Sequence, residues 1–285
     1  METSRPGRVG LLTTANEEHA IKTINPTNGD VIDTYDLMSG QQVEAAIQAC
    51  HDAFDRRRLV SREDRTAKIK AIGEARRDSK EDFAQLMTRE IGRLIGDSRN
   101  EFDRCAAIRD FTAGQGSKEL AEEKRGIPEG QGVITYAAIG TIHGIQCWNF
   151  PCCQVIRYAV ANLMIGNDVL LKHGSSCTGS GLFLRNLMGR ANLPETLFTA
   201  LVVAYDQSDR VIANDQVRGA TMTGSERAGR RCPAGRGKCG ERREGACAAA
   251  KCQTVKAHTI LQPFLSTSRP VNPPAKTRCS APWPR

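Results

Sequence analysis

The spacing of apolar residues before position 132 predicts a layer of amphipathic helices. Apolar residues recur there every three or four positions, which places them on one face of each helix. Charged residues between them, including Arg56, Arg57 and Arg58, are expected on the solvated face. Residues 24–30 are expected to form a turn between two short extended segments, because Asn-Gly favours a positive φ. The apolar positions are Val43, Ala46, Ile47, Cys50 and Phe54, then Ile69, Ile72, Phe83, Leu86 and Met87, then Phe102, Cys105, Ile108 and Phe111.

From residue 133 onwards, short apolar runs alternate with helical segments. A glycine-rich stretch, 126–132, is expected to be a loop before the first strand. The following segments are then predicted: a strand that ends before Trp148, a helix at 151–165, a strand at 169–172, a helix at 177–191, a strand at 199–204, a helix at 207–214 and a strand at 219–222. This alternation predicts an α/β fold with a parallel sheet covered on both faces.

Polar residues follow three of these strands, where ligands bind in parallel sheets. Asn149, Lys172 and the pair Gly224-Ser225 each come just after a predicted strand end. Ligands in such folds sit beyond the carboxyl ends of the strands. From the residues alone, each has a structural alternative: Asn149 and Ser225 as helix caps, and Lys172 as an ordinary lysine at a strand end.

The residues after Arg230 differ in composition from those before it. Residues 230–285 hold 12 Lys and Arg against two Asp and Glu, while the rest of the chain has a net charge of −2, so the overall charge of +8 belongs to this segment. The same segment contains five of the 11 cysteines and seven of the 12 prolines, without a helical or strand period. We divide the chain into a disordered lead-in (1–20), a helical layer (21–132), an α/β region (133–230) and a basic, Cys- and Pro-rich disordered tail (231–285). The tail interrupts an expected helix, which favours an out-of-frame or mis-spliced origin.

Composition also limits the classes of function. No apolar run has the length of a membrane span, and the first 20 residues lack the apolar core of a signal peptide, so a cytoplasmic protein is expected. An odd number of scattered cysteines without a C-x-x-C pair predicts reduced thiols and no metal site. The basic tail could bind nucleic acid, but with Phe264 and Trp283 as its aromatic residues it offers no stacking platform, and this function ranks last.

Four motifs, taken together, resemble the NAD(P)-dependent aldehyde dehydrogenase superfamily. They are NPTNG at 25–29, WNFP at 148–151, VLLKHG at 169–174 and TGSERAG at 223–229. The segments GTIHGIQCWNFP and VLLKHG are most similar to the succinate-semialdehyde dehydrogenase branch. The resemblance covers about residues 21–230, and it implies a Rossmann-like parallel sheet of the aldehyde dehydrogenase type with the catalytic domain missing.

The resemblance implies roles for six residues. Asn149 would stabilise the oxyanion that develops during attack on an aldehyde. The residues implied in cofactor binding are Trp148, Lys172, Ser175, Gly224 and Ser225, with Lys172 and Ser175 at the adenine ribose and the Gly224-Ser225 turn at the pyrophosphate. Many relatives carry a glutamate at the position of Ser175. Because serine does not repel a 2′-phosphate, NADP is expected to be tolerated or preferred over NAD.

The motifs that carry the family's chemistry are missing from this sequence. In the family, a cysteine forms a thioester with the aldehyde carbon and a glutamate in a Glu-Leu-Gly-Gly segment activates water. Neither surrounding occurs here, so no nucleophile and no general base is assigned. The complete family member would oxidise an aldehyde, plausibly succinate semialdehyde, and relatives form homo-oligomers. The chain itself is expected to be inactive; the alternative is a non-catalytic nucleotide-binding or subunit-interaction protein.

Three further residues in this region are interpreted as packing residues of the core. Cys152 and Cys153 follow Pro151, and a position at a helix N-terminus could lower the pKa of a thiol there. Packing as small apolar residues is the preferred interpretation for both. His143 lies within an apolar strand and is interpreted as a core histidine.

Overall fold

The computed structural model describes residues 19–128, 130–225 and 228–229. Most of the predicted lead-in and the whole predicted tail lie outside the described residues. The strands are β1 (Ala20–Ile24), β2 (Val31–Asp36), β3 (Glu123–Ile127), β4 (Gly130–Ile134), β5 (Thr141–Ile145), β6 (Asp168–Lys172), β7 (Phe198–Ala200) and β8 (Val217–Met222). The α-helices are α1 (Gly40–Arg57), α2 (Arg62–Arg76), α3 (Lys80–Ile91), α4 (Ile95–Glu119), α5 (Cys153–Ile165), α6 (Thr178–Arg190) and α7 (Tyr205–Ala213). Among these residues, no helix combines the length and the apolar character that a membrane span requires.

The amino-terminal layer contains the predicted helices together with two β-hairpins. The expected turn at 24–30 joins β1 to β2, and Gly29 adopts a φ of 81°, as its Asn-Gly sequence predicts. Ser39 and Gln42 form a reciprocal capping box that starts α1. The prediction of a loop at 126–132 is wrong, because β3 and β4 pair as an antiparallel hairpin across most of it. Glycine usually weakens a strand, yet three glycines lie within this two-stranded ribbon.

The core of the fold is a four-stranded parallel sheet in the order β7-β6-β5-β8. One face packs against α5 and α6 and, beyond them, the helices α2 to α4, through a cluster that includes Phe83, Phe102 and Leu171. The other face packs against α1 and α7. Leu170 and Leu171 point to opposite faces, as alternation along a strand requires. The predicted α/β sheet, covered on both faces, is confirmed.

The interpretation of His143 as a core residue is also confirmed. Its side chain is fully buried in β5, and its Nε2 lies 3.0 Å from the hydroxyl of Ser208 on α7. Burial lowers the pKa of His143 to about 4, so the ring is neutral at pH 7.

The third predicted strand is shorter than expected. Residues 199–204 were predicted as a strand, whereas β7 ends at Ala200. The amide of Met38 donates to the carbonyl oxygen of Val202 over 2.9 Å, so this carbonyl bonds to the segment before α1 instead of extending the sheet. The side chain of Gln207 then accepts from the amide of Ala204, and α7 begins at Tyr205.

One of the three arginines predicted to be solvated is an internal contact. Arg57 Nη2 lies 2.5 Å from Asp168 Oδ1, at the start of β6, while Arg56 and Arg58 are exposed. Asp168 is 2% exposed, and burial raises its pKa to about 6 although Arg57 opposes the shift. The prediction was wrong for Arg57 because the helix pattern does not show that the end of α1 reaches the sheet.

Candidate functional site

The carboxyl ends of three strands lie side by side at one edge of the sheet. In the strand register, Ile145 of β5 pairs with Lys172 of β6 on one side and with Met222 of β8 on the other. The amide of Gln146 continues the ladder to the Lys172 carbonyl oxygen at 3.0 Å, and the amide of Thr223 donates to the Ile145 carbonyl oxygen at 2.9 Å. The segments that follow these strands therefore leave the sheet next to one another.

The segment after β5 presents Trp148 and Asn149 to solvent. Trp148 is 57% exposed and Asn149 is also exposed. Asn149 Oδ1 accepts a hydrogen bond from the thiol of Cys147 at 2.7 Å, whereas its Nδ2 donates no hydrogen bond to the described part of the chain. The guanidinium of Arg93 lies 4.7 Å above the Phe150 ring. Asn149 thus keeps an unused amide donor.

The N-terminus of α5 is capped by Glu101 and not by Asn149. Glu101 Oε1 accepts from the backbone amides of Cys152 and Cys153 at 2.9 and 2.8 Å, and Oε2 forms an ion pair with Arg93. Glu101 is 1% exposed, and burial raises its pKa even though its hydrogen bonds and Arg93 oppose the shift. The alternative role of Asn149 as a helix cap is therefore wrong.

Glu90 caps α6 in the same way. Its Oε1 accepts from the amide of Gly179 at 2.9 Å, and its Oε2 accepts from the amide and the hydroxyl of Ser180 at 3.0 and 2.5 Å. Burial raises the pKa of Glu90 to about 7. A carboxylate from the helical layer thus takes two backbone amides at the start of each of α5 and α6, which makes either helix start a poor site for a phosphate.

Sequence reasoning did not identify Glu90 and Glu101, although a signal was available. Glu90 lies three positions after Met87, and Glu101 lies directly before Phe102 and four positions before Cys105. Both therefore fall on the apolar faces of their helices, and a carboxylate at such a position needs a buried donor.

Lys172 is the last residue of β6 and is buried, although a lysine at a strand end is usually exposed. The residue is 2% exposed; its Nζ donates to the His173 carbonyl oxygen at 3.2 Å and lies 4.5 Å from the centre of the Tyr205 ring. Burial lowers the pKa of Lys172. Tyr205, which is 71% exposed and begins α7, covers the ammonium. A separation of 33 residues hid this contact from the sequence.

The neighbouring His173 supports the strand ends without carrying charge. Its Nδ1 accepts from the amide of Gly174 at 2.9 Å, so Nε2 carries the proton and donates to the Pro151 carbonyl oxygen at 2.9 Å. Burial lowers the pKa of His173 to about 4. Ser175 follows as the first residue of a 3₁₀ turn, Ser175–Cys177, and is partly exposed.

The segment after β8 is open to solvent. Gly224 and Ser225 are both exposed, and Ser225 Oγ accepts from the amide of Ala228 at 3.2 Å, so Ser225 caps the turn that follows. A Cβ atom added to Gly224 would meet the Ala228 side chain at an ordinary 3.7 Å. The fold therefore leaves space beside Gly224 that a ligand could approach.

Cys152 and Cys153 pack as apolar residues, which confirms the preferred interpretation. Cys152 is 1% exposed and belongs to the main core cluster, and the partly exposed Cys153 packs against that cluster. The hydrogen bond with Cys105 and burial raise the pKa of Cys153. The alternative of a thiol with a lowered pKa is wrong for Cys153, because Glu101 already takes the helix amides that would stabilise a thiolate.

A sequence profile of the aldehyde dehydrogenase family matches residues 12–238, which include every segment of this site. The chain belongs to the aldehyde dehydrogenase family. Among curated members, succinate-semialdehyde dehydrogenase [NADP(+)] of Deinococcus radiodurans is 32% identical over 215 residues, which make up 75% of this chain and 45% of that protein. Succinate semialdehyde dehydrogenase [NAD(P)+] of Escherichia coli K12 is 33% identical over 218 residues, which make up 76% of this chain and 47% of that protein.

Solved structures of aldehyde dehydrogenases share the fold. The succinic semialdehyde dehydrogenase of Streptococcus pyogenes, crystallised with NADP+, superposes with a TM-score of 0.72 at 31% identity. The match covers 74% of this chain and 47% of that one. This aldehyde dehydrogenase chain therefore spans less than half the length of the relatives that it matches.

Proposed function

We propose that the α/β region binds NADP+ or NAD+ at the three adjacent strand ends. Trp148, Lys172, Ser175, Gly224 and Ser225 would hold the dinucleotide. The observation that carries the proposal is the capping of α5 and α6 by buried carboxylates, which leaves the exposed Gly224-Ser225 turn beside them for an anion. Relatives with NADP+ in their names, and the S. pyogenes structure with NADP+, support this assignment.

The donors present suit a ribose and a pyrophosphate. Lys172 Nζ has three hydrogens, and among the described residues a single carbonyl oxygen accepts from it. Displacement of the exposed Tyr205 ring, which covers the ammonium, would open the remaining donors to ribose hydroxyls. Ser225 supplies a hydroxyl and lies at an open turn beside the space next to Gly224. These residues fit the cofactor.

The absence of a carboxylate at Ser175 favours acceptance of a 2′-phosphate. Lys172 is a basic residue at this strand end, whereas burial keeps the neighbouring His173 neutral at pH 7. A serine adds no negative charge beside it, whereas a carboxylate would repel the phosphate. We therefore propose that NADP+ binds at least as tightly as NAD+.

Asn149 is the residue that we propose to act on the substrate in the complete family fold. Its Nδ2 is available to donate to a developing oxyanion, and the Cys147 thiol orients the amide through Oδ1. NADP+, when bound, would supply the hydride acceptor for oxidation of the aldehyde. The substrate class is an aldehyde, and the names of the relatives support succinate semialdehyde.

We propose that this chain does not turn over by itself. No cysteine of the sequence has the surroundings of the family nucleophile, and no Glu-Leu-Gly-Gly segment supplies a general base. Nucleotide binding and catalysis are therefore separable here.

Calorimetric titration of the full chain with NADP+ and with NAD+ tests nucleotide binding. An assay of NADPH formation from succinate semialdehyde tests whether the chain turns over. We expect binding without aldehyde-dependent NADPH. Lys172→Met should weaken binding about tenfold to a hundredfold, since a hydrogen bond from a charged group contributes about 1.5–3 kcal/mol. Lys118→Met changes an exposed lysine of α4 and should leave binding unchanged. Absence of binding would refute the site, and sustained NADPH formation would refute the inactivity.

A second candidate, subunit interaction, is favoured by the edge of the sheet. Among the described strands, β8 pairs with β5 on one side and has no partner on the other. Such an edge can accept a strand of another chain, including a second copy of this one. Light scattering of the purified chain over a range of concentrations would detect self-association; a monomer at all concentrations would contradict this role.

A further inference from the structure

Two thiols from different helices meet at the interface between the helical layer and the α/β region. Cys105 lies on α4 and Cys153 is the first residue of α5, 48 residues later. Their Sγ atoms are 3.3 Å apart. Cys105 is 3% exposed and Cys153 is partly exposed, so one member of the pair can meet a small reagent from solvent.

We propose that Cys105 and Cys153 are a redox modification site that forms an intramolecular disulfide with hydrogen peroxide. A disulfide bond is about 2.05 Å long, so closure requires the two sulfur atoms to approach by little more than 1 Å. Rotation about the Cα–Cβ bond of either cysteine moves a sulfur by that much. The helices α4 and α5 already pack against each other.

Three of the other described thiols have contacts different from those of this pair. Cys50 contacts the carbonyl oxygen of Thr196, Cys147 donates to Asn149, and Cys177 lies beside His173. Cys152 is the natural competitor, because it precedes Cys153 and also interacts with Cys105. Fragmentation of the linked peptides and the Cys152→Ser variant distinguish the two partners.

The oxidation balances in two steps. The Cys153 thiolate attacks one oxygen of hydrogen peroxide, the O–O bond breaks, and a sulfenic acid and hydroxide form. The Cys105 thiolate then attacks the Cys153 sulfur, the S–S bond forms and the S–O bond breaks, which releases a second hydroxide. The two thiol protons neutralise the two hydroxides. In sum, two thiols and one peroxide give one disulfide and two waters.

The reaction is expected to be slow at neutral pH and faster at higher pH. Burial raises the pKa of Cys105, and the contact with Cys105 together with burial raises the pKa of Cys153. Glu101 is one of the charges that raise both pKa values, whereas Arg104 opposes the shift at Cys153. The thiolate is the attacking form, so its fraction limits the rate.

The bond would fasten α4 to the first turn of α5, three residues after Phe150. Glu101 holds the same turn through hydrogen bonds, which unfolding breaks, whereas a covalent link persists in the unfolded chain. A link between positions so far apart in sequence restricts the unfolded chain, and the oxidised protein should melt at a higher temperature than the reduced one. This inference is independent of nucleotide binding.

Peptide mapping of the native full chain after peroxide treatment, followed by alkylation and trypsin, is the test. Cleavage after Arg104, Arg109, Arg125 and Arg157 places Cys105 on peptide 105–109 and Cys153 on peptide 126–157. We expect these two peptides to be linked, with a mass loss of two hydrogen atoms and reversal by a thiol reductant. Fragmentation of the linked pair should assign the bond to Cys153.

Variants provide the controls. The linked peptides should disappear in Cys105→Ser and in Cys153→Ser and persist in Cys152→Ser and Cys147→Ser. Separate peptides in the oxidised wild-type protein would overturn the proposal, as would an undiminished link in Cys153→Ser. Because the wild-type protein is compared with itself before and after oxidation, the result does not depend on how well any variant folds.

Discussion

Glu101 connects the helical layer to the turn that carries Asn149, and Glu101→Ala tests that connection. The carboxylate is 1% exposed, accepts from the amides of Cys152 and Cys153, and pairs with Arg93. Alanine leaves two amides without an acceptor and the guanidinium without its counter-ion. Breaking a buried ion pair by removing one partner costs about 3–5 kcal/mol. We therefore expect the free energy of unfolding to fall by that amount.

Glu101→Gln separates the hydrogen bonds from the charge. Glutamine keeps one carbonyl oxygen for the amides of α5 but loses the ion pair with Arg93. Because burial raises the pKa of Glu101, the carboxylate pays a desolvation cost that the neutral amide avoids. The loss in the glutamine variant should therefore be smaller, about 1–3 kcal/mol.

Urea denaturation at pH 7.5, followed by circular dichroism, measures both losses. Glu119→Ala changes an exposed glutamate at the end of the same helix and should stay within about 0.5 kcal/mol of the wild type. If Glu101→Ala cost no more than Glu119→Ala, the idea that Glu101 holds the start of α5 would be refuted.

Two further predictions concern buried charges. Burial raises the pKa of Glu90 from its ordinary value of 4.5 to about 7, so the folded state binds the proton more tightly and loses stability as pH rises from about 4.5 to 7. Glu90→Gln should remove this loss. In urea titrations, the unfolding free energy of the variant relative to that of the wild type should therefore rise by about 3 kcal/mol between pH 4.5 and 7. A difference between the two proteins that does not change with pH would contradict the account. Arg57→Ala should destabilise the protein by about 3–5 kcal/mol, because Asp168 stays buried without its partner. The control Arg56→Ala should change stability by less than about 0.5 kcal/mol. Equal effects of the two substitutions in thermal or urea unfolding would show that the ion pair contributes nothing.

The sequence predicted the elements whose signal is local. The period of 3.6 indicated the helical layer, and the periods of 3.6 and 2 located α5 to α7 and the strands β5, β6 and β8 within a few residues, because apolar faces of helices and strands must be buried. The shortened β7 escaped prediction because its end depends on a hydrogen bond from Met38, which is far away in the chain. The β3–β4 hairpin was not predicted, because its glycines are typical of a loop.

The candidate site could be predicted from the sequence only in part, because some of its contacts join residues that are far apart in the chain. Asn149, Lys172 and Ser225 follow strand ends, so their neighbourhood follows from the topology of a parallel sheet. The contact between Lys172 and Tyr205, and the capping of α5 by Glu101, depend on which elements pack together. No local pattern encodes those pairings, although a carboxylate on an apolar helix face marks a residue that needs a buried partner.

Hydrogen–deuterium exchange of the full chain with and without NADP+ tests the proposed nucleotide site most directly. Binding across the three strand ends should slow amide exchange together in 145–149, 172–176 and 222–225, while the β3–β4 hairpin exchanges unchanged. Protection that is absent from these segments at saturating NADP+, or confined to residues after 230, would contradict the site.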